Sequence, residues 1–191
     1  MNTQFLDTTL RLFKYYKGLA EDAIAQISDE DLHWRSDEDQ NSIAILMKHL
    51  AGNMLSRWTD FLTTDGEKPW RDRDSEFEDT VNDRTELMEY WERGWDSLFQ
   101  AIDISKSHSL DEIVYIRNEG QSIMEALLRQ LAHYSNHVGQ IIYIAKMRSN
   151  SWKSLSIPKN KSREFNSQLF GQEKSKKDFT EAARSFNKKK D

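Results

Sequence analysis

Four stretches of the chain place apolar residues at steps of three and four, the spacing that aligns side chains along one face of an α-helix. They cover residues 3–27, 41 or 42 to 61, 82–102 and 121–147. Each is about 20 residues or longer, and hence on the order of 30 Å long as a helix. Rods of that length with one apolar face each pack most simply as a bundle. The pattern therefore predicts an all-α fold, a four-helix bundle.

The connections between these stretches add three local predictions. The connection over residues 62–82 is acidic, and an extended segment of this size could span the length of a whole helix. Helices two and three could therefore run parallel. Ser28 is a good helix cap and predicts a short helical turn through Asp31. The β-branched and aromatic run from Ile113 to Ile116 predicts a minor strand or hairpin before the last helix.

The charge distribution divides the chain into an acidic body and a basic tail. Residues 151–191 carry a net charge of +6 and residues 1–150 a net charge of −11. We expect a bundle domain over residues 1–160 and a partly flexible basic extension over 161–191, with Lys188 to Lys190 at a frayed end and little fixed structure past Gly171. The apolar residues expected to fold back onto the bundle are Trp152, Leu155, Ile157, Pro158, Phe165, Leu169 and Phe170.

Composition excludes several classes of function. The chain has no Cys, so it forms no disulfide and offers no catalytic thiol. An acidic body repels a phosphate backbone, and nucleic acid is therefore not an expected partner. There is no stretch of roughly 18 apolar residues that could span a membrane, and the N-terminus has no basic region followed by an apolar run. These features predict a cytoplasmic protein with no membrane association.

The chemistry available to this chain is concentrated in its histidines. His133 and His137 are four residues apart in the predicted fourth helix, so both imidazoles can reach one divalent ion. His49, in the second helix, lies at the flank of its apolar stripe, as do His133 and His137. Such flanks line the crevices in which bundle metal sites are built. The alternative is a set of buried crevice histidines hydrogen-bonded to neighbours such as Gln130 or Tyr134.

Other patterns of functional residues are weaker. Glu30 and His33 form one Glu-x-x-His step, but a di-iron bundle requires two such steps, and the chain has no second one. His108 lies in a Ser-rich connection, where we expect it to be solvated. The sequence has no G-x-S-x-G elbow for a nucleophilic serine and no glycine-rich phosphate loop.

Two histidine-containing segments resemble the DinB-like (DinB/YfiT) superfamily, whose members are regarded as metalloenzymes. The segments are LMKHLAGN (46–53) and HYSNHVGQ (133–140), and the similarity covers about residues 1–160, including SWKSLSIP (151–158). The resemblance implies a four-helix bundle with up-down-down-up order, which agrees with the long second connection. It also implies a divalent metal (Zn, Ni, Fe or Mn) bound by His49, His133 and His137.

The same resemblance implies a class of reaction and its alternative. Relatives include transferases that use bacillithiol or another low-molecular-weight thiol, so the chain is expected to be a metal-dependent thiol S-transferase or hydrolase acting on a small molecule. Asn53 and Gln130, each about one turn from a histidine, would orient the ligands or the substrate. The alternative is a non-catalytic, stress-associated helical-bundle binding protein. The resemblance and the segment around Trp152 are compatible with a homodimer.

Overall fold

The computed structural model describes residues 2–81, 83–174, 180 and 186, and this part of the chain is mostly helical. In chain order the elements are α1 (Asn2–Ile24), α2 (Asp29–Leu32), α3 (Ile43–Trp58), a 3-10 turn (Ser75–Phe77), α4 (Arg84–Ser105), β1 (Ile113–Ile116), β2 (Glu119–Ser122), α5 (Ile123–Arg148) and α6 (Ser162–Phe170). The long helices α1, α3, α4 and α5 occupy the four stretches with the helical period, which confirms those predictions. Within the described ranges, no helix combines the length and hydropathy needed to cross a bilayer.

Side-chain caps fix where the helices begin. Ser42 precedes α3 and accepts a hydrogen bond of 3.2 Å from the backbone N–H three residues on, so Ser42 and not Asn41 is the cap. Ser28 and Asp31 form a reciprocal capping box around α2. The short turn predicted at Ser28 is therefore confirmed.

The core surrounds α3. Thirteen of the 16 residues of this helix are buried, whereas the other long helices bury one face each. α3 packs mainly against α4, and α1 packs mainly against α5. Phe13 of α1, Trp95 of α4 and Tyr134 of α5 meet at the centre, with ring centroids 5.8–6.2 Å apart. The aromatic residues of the stripes thus serve core packing, as their positions predict.

The strands β1 and β2 form the predicted hairpin, with Ile116 opposite Glu119. Its two turn residues, Arg117 and Asn118, both have positive φ (54° and 61°), as a tight hairpin turn requires. Asp65, from the connection after α3, accepts a hydrogen bond of 2.8 Å from the backbone N–H of each. This carboxylate ties the long connection to the hairpin.

The tail after α5 follows the prediction only in part. Trp152 and Leu155 pack against the core, as expected. Phe165 and Leu169 are half-buried, but Phe170 is 83% exposed, so the prediction for Phe170 is wrong. Residues four apart share a helix face, and Phe170 is turned 100° away from the face that Phe165 and Leu169 share. The predictions for a frayed Lys188–Lys190 end and for most of the segment past Gly171 lie outside the described residues.

Two helical glycines provide a matched test of the packing of α3 against α4. A Cβ on Gly94 of α4 would lie 2.8 Å from the Cα of Ala51, whereas a Cβ on Gly139 of α5 would meet no atom within 4 Å. We expect Gly94→Ala to lower the free energy of unfolding by about 1–3 kcal/mol, because the backbone of α3 has to move. Gly139→Ala should raise it by up to about 1 kcal/mol. Urea denaturation measures both, and an unchanged stability of Gly94→Ala would contradict the close approach of the two helices.

Candidate metal centre

Three histidines from two helices meet in the crevice between α3 and α5. His49 lies in α3, and His133 and His137 lie one turn apart in α5. One potential ligand atom from each lies within 4.8 Å of the other two, and the Nε2 atoms of His49 and His133 are 3.4 Å apart. His49 is only 4% exposed, while the other two are half-buried. The three residues named from the resemblance therefore form one cluster.

Each imidazole of the cluster uses its Nδ1 atom to donate to an oxygen of the protein. His49 donates to Glu76 Oε2 (2.9 Å), His133 to Gln130 Oε1 (3.1 Å) and His137 to Gln140 Oε1 (3.3 Å). A neutral imidazole whose Nδ1 carries the proton has its lone pair on Nε2. The three rings can thus present their Nε2 lone pairs to a common ligand.

The distance between two of these nitrogens suits a divalent cation. Two imidazole nitrogens bound to one tetrahedral zinc at about 2.0–2.1 Å are about 3.3 Å apart, close to the 3.4 Å between His49 and His133. Imidazole is a common ligand of zinc, nickel and iron. The cluster could therefore hold a metal ion, and three protein ligands would leave a coordination position for water or substrate.

A buried ion pair lies behind His49. Glu76, which accepts from His49, also accepts from Arg71 Nε (2.8 Å) and Arg71 Nη2 (2.9 Å). The side chains of Glu76 and Arg71 are only 5% and 3% exposed. Burial raises the pKa of Glu76, but the hydrogen bonds from His49 and Arg71 and the charge of Arg71 outweigh burial, so the pKa lies below its ordinary value. An ionised carboxylate therefore fixes the His49 ring, as in carboxylate–histidine–metal triads.

Glu76 and Arg71 are functional-site residues that the sequence analysis missed. Glu76 is one of many acidic residues in a connection without helical period, 27 residues away from His49. The one sequence feature that points to a residue packed against α3 here is Gly52, because glycine is unfavourable in the middle of a helix. A Cβ at Gly52 would lie 2.9 Å from Glu76 Cδ, so this glycine makes room for the carboxylate. The glycine indicates a close approach but does not identify the approaching residue.

Burial and neighbouring groups keep the exposed side of the cluster unprotonated. Burial lowers the pKa of His133 to about 3, and His137, His49 and the Arg57 guanidinium act in the same direction. Burial also lowers the pKa of His137, with a further contribution from His49. Both imidazoles are therefore neutral at neutral pH, the form in which histidine binds metal.

The two residues predicted to orient ligands or substrate differ in their contacts. Gln130 is buried and its Oε1 accepts from His133, so it touches the cluster directly. Asn53 accepts instead from the hydroxyl of Tyr134 (3.1 Å), which in turn accepts from Trp58 Nε1 (3.2 Å). Tyr134 is fully buried, and burial raises the pKa of its hydroxyl. Asn53 thus completes a hydrogen-bonded network in the core, and a role toward substrate stays a prediction.

The remaining histidines lie outside the cluster. His33 contacts Asp79 (2.7 Å) and His108 contacts Glu112 (3.0 Å). His108 keeps 35% of its side chain exposed. It therefore provides a control position for substitutions in the cluster.

The buried carboxylate behind His49 leads to a stability prediction. Arg71 also contacts Glu67 (3.4 Å), whose side chain is 25% exposed. Glu76→Gln should lower the free energy of unfolding of the metal-free protein by about 3 kcal/mol, because a buried guanidinium loses its anionic partner. Glu67→Gln should lower it by less than about 1 kcal/mol, since that pair is partly solvated. Equal effects of the two substitutions in urea denaturation would contradict this role of Glu76.

Comparison with known proteins identifies the family of the chain. No curated protein and no solved structure matches it. The model of a family described as a protein of unknown function, DUF1572, matches residues 1–161. These residues include the three histidines, both residues of the buried ion pair and all four long helices. The chain therefore belongs to the DUF1572 family.

Proposed function

We propose that this chain is a divalent-metal-dependent enzyme of the DinB-like superfamily, with His49, His133 and His137 as the metal ligands. The observation that carries the proposal is the convergence of three imidazoles whose Nδ1 atoms are all bound to oxygen acceptors. This arrangement leaves three nitrogen lone pairs for one cation. Metal ligands are expected to have a fixed tautomer at every ring. Crevice histidines without a common ligand need not all donate from the same ring nitrogen.

The reaction we propose is thiol S-transfer or hydrolysis on a small molecule. A divalent metal held by neutral ligands lowers the pKa of a bound thiol or water and so supplies a nucleophile near neutral pH. The chain has no Cys, so a thiol would come from a small molecule such as bacillithiol. Within the protein, Glu76 and Gln130 would hold the rings of His49 and His133 in position. Zinc, nickel, iron and manganese all remain candidates for the metal.

The proposal includes the up-down-down-up order of the four long helices. Trp58, at the end of α3, contacts Tyr134 in the first half of α5. Asn41, just before α3, lines a cleft together with Met147, near the end of α5. These two contacts indicate that α3 and α5 run in opposite directions along the crevice. The connection between α3 and α4 is long enough for these two helices to run parallel. Both observations support this order.

The alternative is a non-catalytic, stress-associated bundle whose histidines are structural or bind metal without turnover. The observation that favours it is the distance of 3.4 Å between the Nε2 atoms of His49 and His133, which is within hydrogen-bond range and lets the two rings partner each other without a metal. The two functions differ in whether the metal-loaded protein turns over a small molecule, by transfer of a small thiol or by hydrolysis.

Metal content tests the site directly. We expect untagged full-length protein supplied with Zn²⁺, Ni²⁺, Mn²⁺ or Fe²⁺ to retain about one ion per chain in elemental analysis, since three ligands converge on one position. His137→Ala should lose the ion, because two imidazoles are left. His108→Ala is the matched control and should retain it, since His108 lies outside the cluster. Wild-type protein that retains no ion under any of these conditions would rule out the metalloenzyme.

Thiol consumption separates the two functions. With bacillithiol and a panel of electrophiles, the metal-loaded enzyme should cause a loss of free thiol that the metal-free protein and His137→Ala do not cause. Thiol titration measures the loss. Stoichiometric metal with neither loss of thiol nor hydrolysis of any electrophile in the panel would assign the chain to the binding proteins.

The contacts of Gln130 and Asn53 predict different effects on metal affinity. Gln130→Met removes the acceptor of His133 Nδ1 and should weaken metal binding by about 10–100-fold, the usual effect of losing an outer-shell partner. Asn53→Leu removes the acceptor of the Tyr134 hydroxyl and should lower stability while leaving metal affinity unchanged. Competition with a metal-binding dye gives the affinities. An equal loss of affinity in both variants would contradict the assignment.

A further inference from the structure

A second feature of the crevice lies beyond the histidines, toward the end of α5. The loop before α3 and the second half of α5 enclose a cleft of about 340 Å³. Clefts of roughly 300–1,000 Å³ are typical of small-molecule sites. The residues that line it include Trp34, Asn41, Gln140, Tyr143, Ile144 and Met147.

The cleft and the metal centre share one residue. Gln140 lines the cleft and also accepts the hydrogen bond from His137 Nδ1 (3.3 Å). Ile144 is seven residues from His137 and therefore lies on the same face of α5, about 10 Å farther along the axis. A molecule of modest length could therefore occupy the cleft and reach the histidines at the same time.

Trp34 and the three α5 residues Tyr143, Ile144 and Met147 give the cleft its apolar and aromatic surface, and polar side chains line the rest. Tyr143 and Met147 are 66% and 51% exposed, although both are large apolar side chains. Trp34 is held in place by Arg148, which lies 5.1 Å from its ring centroid and is itself paired with Asp31 (2.7 Å). This apolar surface is thus built on a fixed support and remains uncovered.

Formal charge in the cleft is balanced. Arg35 and Asp39 are the two charged residues that line it, both exposed. The amide side chains of Gln40, Asn41 and Gln140 supply neutral hydrogen-bonding groups. The chemistry of the walls therefore suits an uncharged group with apolar surface.

The opposite end of the crevice is narrow. There the hairpin residues Val114 and Ile116 pack near Arg57 and Gln130 around a cavity of only about 10 Å³. Such a volume holds about one water molecule. Of these two ends of the crevice, the one formed by the loop and α5 therefore has more room for an organic group.

We propose that this cleft binds the uncharged aromatic or alkyl part of a small-molecule substrate whose metal-binding end meets His49, His133 and His137. The inference rests on the proposed function and assigns the substrate class: a molecule with a metal-binding head and an apolar tail. Met147, Ile144 and Tyr143 are the residues that would select the tail.

Two hydroxamates that differ only in their tails test the assignment. Acetohydroxamate and phenylbutyrohydroxamate bind divalent metals through the same head group, and titration of the Co²⁺-loaded protein by visible absorption gives a Kd for each. We expect the phenyl tail to lower the Kd by at least about tenfold, because burial of an aromatic ring in the cleft is favourable. Met147→Glu should abolish that advantage without changing the Kd of acetohydroxamate.

Leu128→Glu is the matched control. Leu128 lies on α5 outside the cleft and is 48% exposed, close to the 51% of Met147, so both variants replace an exposed apolar residue by glutamate. Ile144→Ala is a second variant and should reduce the tail advantage in part. Equal Kd values for the two hydroxamates, or the same loss in Leu128→Glu as in Met147→Glu, would overturn the inference while leaving the metal centre intact. A protein that takes up no Co²⁺ would instead overturn the proposed function and the cleft with it.

Discussion

Enclosure of α3 is the constraint on which the site depends. A helix that is buried on nearly every side has to satisfy each of its polar side chains inside the protein. Ser56 does so by donating to the carbonyl of Gly66 (2.7 Å), and Asn53 by accepting from Tyr134. His49 has two ring nitrogens, of which Glu76 satisfies one. The other faces the two histidines of α5, where a cation is the natural partner for three imidazole nitrogens.

Charge in the crevice is distributed so that a bound cation would keep its own charge. The carboxylate of Glu76 is already paired with Arg71, and the imidazoles of His133 and His137 are neutral. Arg57, farther along the crevice, has a buried Nε and Nη1 with no hydrogen-bond partner among the described residues. The charge of this guanidinium favours anionic ligands such as a thiolate or hydroxide.

The sequence predicts this molecule best where residues repeat with a period. Helix positions follow from the apolar stripes, and the hairpin from the β-branched run beginning at Ile113. The histidine cluster is predictable because His133 and His137 are one turn apart and the family resemblance supplies His49. Glu76 has neither a period nor a fixed spacing to its partner, since its position depends on how a 25-residue connection folds, from 59 to 83. The sequence does not predict the cleft either, because one of its walls is a loop with no periodic pattern.

That connection nevertheless determines whether the three rings converge. Asp65 holds the hairpin turn by two backbone hydrogen bonds, and Gly66 N–H donates to the carbonyl of Tyr115 (2.8 Å), so the start of the connection is attached to β1. From there the chain carries Glu76 to His49, whose ring faces His133. The helices bring the imidazoles to the same level of the crevice, but helix packing alone leaves the His49 ring free to rotate about its side-chain torsions. The carboxylate removes that freedom, and the orientation of a metal ligand therefore depends on a segment that has no helical pattern of its own.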